Sequence, residues 1–185
     1  MTSMNILYHH RTQGGAVEGV HIRELVKALR ALGHQVDVVG PPGVSVFEGD
    51  AGRCAARPRP RRGVWQGISR RLPEVWFEVL ELAYSLYAYW CIGRCLCARR
   101  YEFVYERYAI FNWAGLAQAR RCGIPFLLEV NYTSWSPMAR RRSRWLQRLA
   151  HRIDHWLFAR ADGLTVVSEA LRRHLVEELG VDAHK

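Results

Sequence analysis

The sequence predicts an α/β fold: a doubly wound, mainly parallel, Rossmann-like sheet with helices on both faces. Three observations support this fold class. Short apolar runs alternate with longer segments of helical periodicity along nearly the whole chain. The first two apolar runs are joined through a helix, which makes a βαβ unit and indicates parallel strands. No internal repeat interrupts this alternation.

The first βαβ unit occupies the N-terminal fifth of the chain. Residues 5–8 are predicted to form a strand and residues 35–39 a second strand. Between them a helix begins at Ala16, with apolar residues at spacings of three and four: Ile22, Leu25, Val26, Leu29 and Leu32. Gly33 follows this helix and is the expected left-handed cap at its C-terminus.

The remaining elements follow the same rule. The predicted strands are 103–105, 125–130 and 164–167, and the predicted helices are 72–99, 110–121 (ended by Gly123), one through 145–157, and one from the Ser168 cap to Leu179.

Length and composition favour one soluble domain over residues 1–185. The chain has 185 residues, of which 49% are hydrophobic and 24% charged, values typical of globular proteins. The N-terminus lacks the pattern of a secretory signal, and the longest uncharged helical stretch, 82–93, is shorter than a membrane span. The five cysteines form no even framework, which favours a reducing, cytoplasmic location.

The chain is strongly basic, with a formal net charge of +10. Such a charge is compatible with a nucleic acid, an anionic membrane or an acidic substrate. Arginines and prolines concentrate in a stretch that we predict to be a flexible basic loop, at about residues 44–71. A nucleic-acid module is the rival interpretation, with the candidate residues Arg140, Arg141, Arg142, Arg144 and Arg148. Because no recognition motif accompanies them, we expect no nucleic-acid partner.

Three loops at carboxyl ends of strands are candidates for chemistry, because ligands of doubly wound folds bind there. The loop 9–19 carries glycines before a helix N-terminus, which suits an anion or merely eases a turn. The loop 129–134 offers polar groups that could orient a sugar hydroxyl or only shape a turn. In the segment 105–108, Glu106 and Arg107 form either a binding pair or a local ion pair.

Two patterns resemble metal sites, and we expect no metal at either. His151 and His155 lie one helical turn apart, but Asp154 stands where the comparable zinc motif has glutamate. Cys91 and Cys95 share a helix face from which Cys97 turns away. Packing roles are the alternative for both sets.

Three segments together resemble the N-terminal domain of family 4-like glycosyltransferases, which are retaining enzymes of the GT-B fold. They are GGAVEGVHIRELVKALRALGHQVDVVGPP (14–42), YERYAIFNWAGLAQARRCGIPFLLEVN (105–131) and ARADGLTVVSEALRRHLVEELGV (159–181). Gly33-His34, Ala161-Asp162 and the run 167–169 are recurrent signatures of that family. In order and spacing the three segments span nearly the whole chain.

The resemblance implies transfer of a sugar from a nucleotide-sugar donor (a UDP- or GDP-sugar) to a hydroxyl of a carbohydrate or lipid-linked acceptor. It implies that Gly14 and Gly15 face the donor diphosphate. By the same resemblance, Glu129 and Asn131 are the candidate catalytic residues, although asparagine stands where the family often has histidine or aspartate. The residues expected on the acceptor side are Glu18, His21, Glu106 and Arg107.

The resemblance also implies a second domain that binds the donor. The sequence stops at Lys185, where the family continues into its donor-binding domain. We therefore expect this domain to be supplied in cis or in trans, and the chain alone to be inactive or weakly active. Alternatives are a non-catalytic partner or a membrane-docking subunit of a split enzyme.

The aromatic helix 72–99 could rest on the anionic inner face of the plasma membrane. Arginine clusters bracket it, and aromatic and basic residues suit such an interface. The alternative is an ordinary helix that covers the sheet.

Overall fold

The computed structural model of the chain describes residues 3–12, 17–42, 74–136 and 144–185. Its strands are β1 (Asn5–His9), β2 (Gln35–Val39), β3 (Phe103–Arg107), β4 (Phe126–Val130) and β5 (Gly163–Val166). Its α-helices are α1 (Val17–Ala31), α2 (Glu74–Ala98), α3 (Ala114–Cys122), α4 (Arg144–Arg160) and α5 (Glu169–Arg173), and a π-helical turn follows at His174–Glu178.

The five strands form one parallel sheet in the order β2-β1-β3-β4-β5. The chain moves outward from β1 to β2, crosses back, and then proceeds in the opposite direction from β3 to β5. The point of reversal lies between β1 and β3, where a doubly wound sheet opens a crevice at the carboxyl ends of its strands. The fold class predicted from the sequence is confirmed.

Alternation along the strands directs side chains to two hydrophobic layers. On one face Ile6 and Tyr8 of β1 pack with Ile22 and Val26 of α1. On the other face Leu7 of β1 and residues of β3 and β4 pack in a larger core with α2, α3 and α4, which includes Ala88, Cys91, Ile92, Leu116, Ala150 and Leu157. We call these the α1 face and the α2 face of the sheet.

The predicted elements differ from the structure mainly at their ends. The helix predicted from residue 110 begins instead at Ala114. Before it, Phe111 has a φ of 65°, a left-handed conformation that is uncommon for a bulky residue. The Ser85 hydroxyl donates a 2.6 Å hydrogen bond to the Phe111 carbonyl. The buried Phe111 and this bond to α2 hold the turn, which the helical pattern alone did not reveal.

The last predicted helix changes its hydrogen-bonding pattern at His174. The Ser168 hydroxyl caps it as predicted, by accepting from the Leu171 N–H at 3.2 Å. Residues 174–178 then adopt the wider π-helical turn. The cap glycines are also confirmed, because Gly33 and Gly123 have φ values of 89° and 67°.

Several sequence predictions fall outside the described residues. They include the flexible basic loop 44–71, the glycines Gly14 and Gly15, and Arg140, Arg141 and Arg142. Within the described part of the chain, every helix is too short or too polar to cross a membrane.

Candidate functional site

Polar side chains of β1, β3 and β4 gather at the carboxyl edge of the sheet, on either side of the point of reversal. The strand register places His9 beside Glu106, and Arg107 beside Glu129. Since successive side chains point to opposite faces, these two pairs lie on different sides of the sheet. The result is two polar clusters at one edge.

The first group, which we call the Glu129 cluster, lies on the α1 face and consists of Glu129, Arg107, Asn131 and His21. One carboxylate oxygen, Glu129 Oε1, accepts from Arg107 Nη1 at 2.6 Å and from Asn131 Nδ2 at 3.2 Å. Nε2 of His21, on α1, is 3.3 Å from the same oxygen. The His21 side chain is 54% exposed and that of Glu129 only 4%, so the cluster extends from the sheet edge into solvent.

The second carboxylate oxygen of Glu129 differs from the first in its hydrogen bonding. Glu129 Oε2 is buried and has no hydrogen-bond partner among the described residues, and the same holds for the Tyr8 hydroxyl. Burial raises the pKa of Tyr8, and the negative charge of Glu129 raises it further. Burial, with Glu129 as the second cause, also raises the pKa of Tyr105 to about 12. Both phenols therefore stay protonated beside Glu129.

The second group, which we call the His9 cluster, lies on the α2 face and consists of His9, Glu106, Tyr84 and Asn112. His9 Nδ1 is 2.6 Å from Glu106 Oε2, and both side chains are fully buried. His9 Nε2 is 3.1 Å from the Tyr84 hydroxyl, and the Asn112 amide nitrogen is 3.5 Å from His9 Nδ1. The cluster joins β1, β3, α2 and the turn before α3.

The hydrogen bonds around His9 and Tyr84 determine the net charge of the His9–Glu106 pair. The Tyr84 hydroxyl donates its proton to the His10 carbonyl at 3.0 Å, so His9 Nε2 must donate to the Tyr84 oxygen. The short His9–Glu106 contact then holds one further proton, on either atom. Whether that proton lies on His9 Nδ1 or on Glu106 Oε2, the pair has no net charge. Full burial favours this, because an unbalanced buried charge is costly.

Glu106 is also held by the start of α3. Burial raises the pKa of its carboxyl, while the nearby His9 and the Gly115 N–H, which donates to it, counteract part of that rise. A Cβ at Gly115 would lie 2.0 Å from Glu106 Oε2. The start of α3 therefore needs glycine to approach this carboxyl.

His10 follows β1 and is almost completely buried, with 1% of its surface exposed. Its pKa is lowered to about 3, chiefly by burial and then by the nearby His9 and Arg107. A Cβ at Gly40, after β2, would lie 2.7 Å from two ring atoms of His10. The imidazole thus occupies the space that a side chain at position 40 would need.

On α4, the buried Asp154 lies between His151 and His155 in the sequence, and its carboxylate is held by hydrogen bonds. Both oxygens of Asp154 lie 2.7 Å from the Tyr108 hydroxyl, and one accepts from the Ser134 N–H at 2.9 Å. His151 stacks on Trp135, with ring centroids 4.2 Å apart. Within the described ranges, no three histidine, cysteine or acidic residues are placed to hold a metal ion.

The structure brings together four of the predicted site residues: His21, Arg107, Glu129 and Asn131. It places Glu18 on the exposed side of the first turn of α1. Glu106 lies on the other face, fully buried. The local ion pair between Glu106 and Arg107 was wrong as an alternative, because neighbouring strand residues point apart and each pairs with a distant residue instead.

Sequence reasoning missed the rest of the His9 cluster. The two adjacent histidines after an apolar run, at 9 and 10, were a visible signal that we assigned only to a polar loop. Tyr84 lies within a helix of many aromatic residues, and Asn112 within a segment predicted as helical. Neither carried a signal, because their contact with His9 spans 75 and 103 residues of sequence.

A family model described as a glycosyl transferase 4-like domain matches residues 18–185. The chain belongs to this glycosyltransferase family. The family resemblance inferred from the sequence motifs is confirmed.

Solved structures similar to the chain are also glycosyltransferases. SnogD from Streptomyces nogalater is 18% identical, with 90% of this chain and 46% of that chain covered and a TM-score of 0.48. The calicheamicin glycosyltransferase CalG4 is 18% identical, with 98% and 44% covered and a TM-score of 0.49. UGT73P12 from Glycyrrhiza uralensis is 12% identical, with 98% and 48% covered and a TM-score of 0.46. The chain thus spans about half the length of these structures, and no curated protein matches it.

Proposed function

We propose that the chain forms the acceptor side of a retaining glycosyltransferase, which moves a sugar from a UDP- or GDP-sugar to a hydroxyl of a carbohydrate or lipid-linked acceptor. A donor-binding domain, in cis or in trans, completes the site. Membership of the glycosyl transferase 4-like family supports the reaction class. The observation that carries the assignment to this edge is the solvent-exposed His21, which lies 3.3 Å from a Glu129 carboxylate that Arg107 and Asn131 hold in place.

The Glu129 cluster has the donors and acceptors that bind a sugar hydroxyl. Arg107 and Asn131 occupy one carboxylate oxygen and fix the orientation of Glu129. An acceptor hydroxyl that enters beside His21 can donate a hydrogen bond to the Glu129 carboxylate, since an ionised carboxylate is an acceptor only. For retention, the hydroxyl oxygen bonds to the anomeric carbon on the face from which the nucleoside diphosphate leaves, the bond between that carbon and the diphosphate oxygen breaks, and Glu129 can receive the hydroxyl proton. Asn131 cannot take up a proton, so its role is orientation.

The other predicted residues take supporting roles in this proposal. Glu18 and His21, on the first turns of α1, contact the acceptor from the solvent side. Gly14 and Gly15 face the donor diphosphate, where backbone N–H groups before a helix favour an anion. Glu106 acts indirectly, because its buried pair with His9 fixes the ends of β1 and β3.

Binding to the 185-residue chain tests the acceptor site. Methyl glucoside and methyl mannoside, titrated at millimolar concentration into ¹⁵N-labelled protein, should shift the amide resonances around Glu129, Asn131 and His21. Glu129→Gln should remove these shifts, because an amide oxygen is a weaker acceptor than a carboxylate. Glu24→Gln, an exposed change on α1, is the matched control. Shifts that persist in Glu129→Gln would place the acceptor elsewhere.

Turnover tests the reaction class separately. UDP-glucose and GDP-mannose are supplied with a donor-binding domain present, and the anomeric configuration of the product is read by NMR. Retention is expected, and an inverted product would contradict this part of the proposal. Sugar binding without turnover would instead support the non-catalytic alternative.

A further inference from the structure

We propose that α2 docks the protein onto an anionic lipid bilayer through an apolar stripe on its outer side. We call the residues Val79, Leu80, Leu86 and Trp90 the α2 stripe. This inference goes beyond sugar transfer and does not depend on it. The partner that we propose for the α2 stripe is the surface of a membrane rich in anionic phospholipid.

The first argument is exposure. The four residues of the α2 stripe are 43–63% exposed, and they make up four of the seven exposed large hydrophobic residues in the described part of the chain. The opposite side of the same helix packs into the core through Ala88, Cys91, Ile92 and Cys95. α2 is therefore apolar on both sides, whereas a helix that only covers a sheet needs one apolar side.

The second argument is charge. Beside Trp90, α2 and α3 enclose a groove of about 440 Å³, whose lining includes Arg94 of α2 and Arg121 of α3. The Arg94 guanidinium lies 4.9 Å from the centre of the Trp90 ring. No acidic residue occurs in α2 after Glu81, nor anywhere in α3. A ligand that fits this surface carries a negative charge for the arginines and an apolar part for the α2 stripe.

These features favour a bilayer over a protein partner. Tryptophan and arginine side by side are typical of the membrane–water interface, where the indole lies among headgroups and the guanidinium contacts phosphate. The stripe from Val79 to Trp90 extends about 16 Å along the helix, as an interfacial helix requires.

The orientation of α2 relates this surface to the candidate site. Near the start of the helix, Glu81 pairs with Arg11 at 2.9 Å, and Tyr84 contacts His9 and His10. The first residues of the stripe therefore lie next to the carboxyl edge of the sheet. Docking through α2 would hold this edge close to the lipid headgroups.

Vesicle sedimentation tests the proposal on the full chain. We expect the protein to pellet with vesicles of phosphatidylglycerol and phosphatidylcholine, and far less with phosphatidylcholine alone. The double variant Leu86→Ser, Trp90→Ala should reduce partitioning by about tenfold or more, since it removes most of the exposed apolar area. Arg94→Gln and Arg121→Gln should each reduce it by about fivefold, and less at high salt.

Matched controls exist elsewhere on the surface. Leu32, in the turn after α1, is 56% exposed, so Leu32→Ser removes a similar side chain away from α2 and should leave partitioning unchanged. Arg173→Gln, on α5, is the control for the arginines. Equal loss in these controls, or full binding by the double variant, would overturn the proposal. Light scattering distinguishes the rival occupant: a dimer that the double variant dissociates, without vesicle binding, would assign the stripe to a second copy of the chain.

Discussion

The two polar clusters at the carboxyl edge contain similar residues and differ in access. Each joins a histidine to a glutamate, and each includes an asparagine. The His9 cluster is closed, since His9 and Glu106 are both fully buried. The Glu129 cluster opens to solvent through His21 and keeps one buried oxygen without a partner. Glu106 Oε1 in the closed cluster likewise has no partner among the described residues, so access, and not hydrogen-bond pairing, distinguishes the two clusters. The closed cluster stabilises the fold, and the open one is available to a ligand.

The largest expected effect comes from breaking the closed cluster. Glu106→Leu leaves the buried His9 Nδ1 without its partner and should reduce the free energy of unfolding by about 3–5 kcal/mol. Glu106→Gln keeps a hydrogen-bonding group of the same shape and should cost less, about 1–2 kcal/mol. Urea denaturation followed by circular dichroism measures both. The control is Glu24→Leu at an exposed position, and a cost for Glu106→Leu no larger than the control would contradict the comparison.

A second effect concerns pH and His10. Its pKa is about 3 in the folded protein, against the ordinary value of 6.5 for histidine, so the unfolded chain binds up to one more proton between these values. The contribution of His10 therefore stabilises the fold above pH 6.5 and is lost as the pH falls toward 3, with a slope of up to about 1.4 kcal/mol per pH unit. His10→Gln should remove this slope from unfolding curves measured between pH 4 and 6.

The contribution of His10 is the difference in pH dependence between the wild-type protein and the His10→Gln variant. Glu106 and Asp154 have raised pKa values and contribute slopes of the opposite sign, which the variant retains. An identical pH dependence in wild type and His10→Gln would show that His10 titrates normally and is not enclosed.

The smallest effect on stability is expected at the open cluster. His21→Gln removes an exposed side chain 3.3 Å from Glu129 Oε1, so the free energy of unfolding should change by less than about 0.5 kcal/mol. The same change should weaken methyl glycoside binding, because His21 borders the Glu129 carboxylate on its solvent side. NMR titration measures this, with His34→Gln at the opposite end of α1 as the control. Loss of stability without loss of binding would give His21 a structural role only.

Periodicity predicted the architecture because it depends on local sequence. Short apolar runs between helical segments identified all five strands. The glycines at 33 and 123 marked helix ends, where both adopt left-handed conformations. The turn at Phe111 and the π-helical turn at His174 escaped prediction. The first is held by a bond from α2, 26 residues away, and the second is a change of hydrogen bonding within a continuous helical pattern.

The site was predicted in part, for a related reason. Glu129, Asn131, Arg107 and His21 were each named, but Arg107 was considered alongside its neighbour Glu106. Strand pleating separates these neighbours, and strand pairing supplies their actual partners, 22 and 97 residues away. Partner choice in a parallel sheet depends on register, which a single sequence does not show.

Gly40 and His10 constrain each other across two strands. The imidazole takes the volume next to the Gly40 Cα, so even a methyl group there would collide with it. A side chain can therefore be accommodated after β2 only where the residue after β1 is smaller than histidine, whereas position 10 can change while Gly40 stays. Among homologous sequences, the pair should co-vary although 30 residues separate its members.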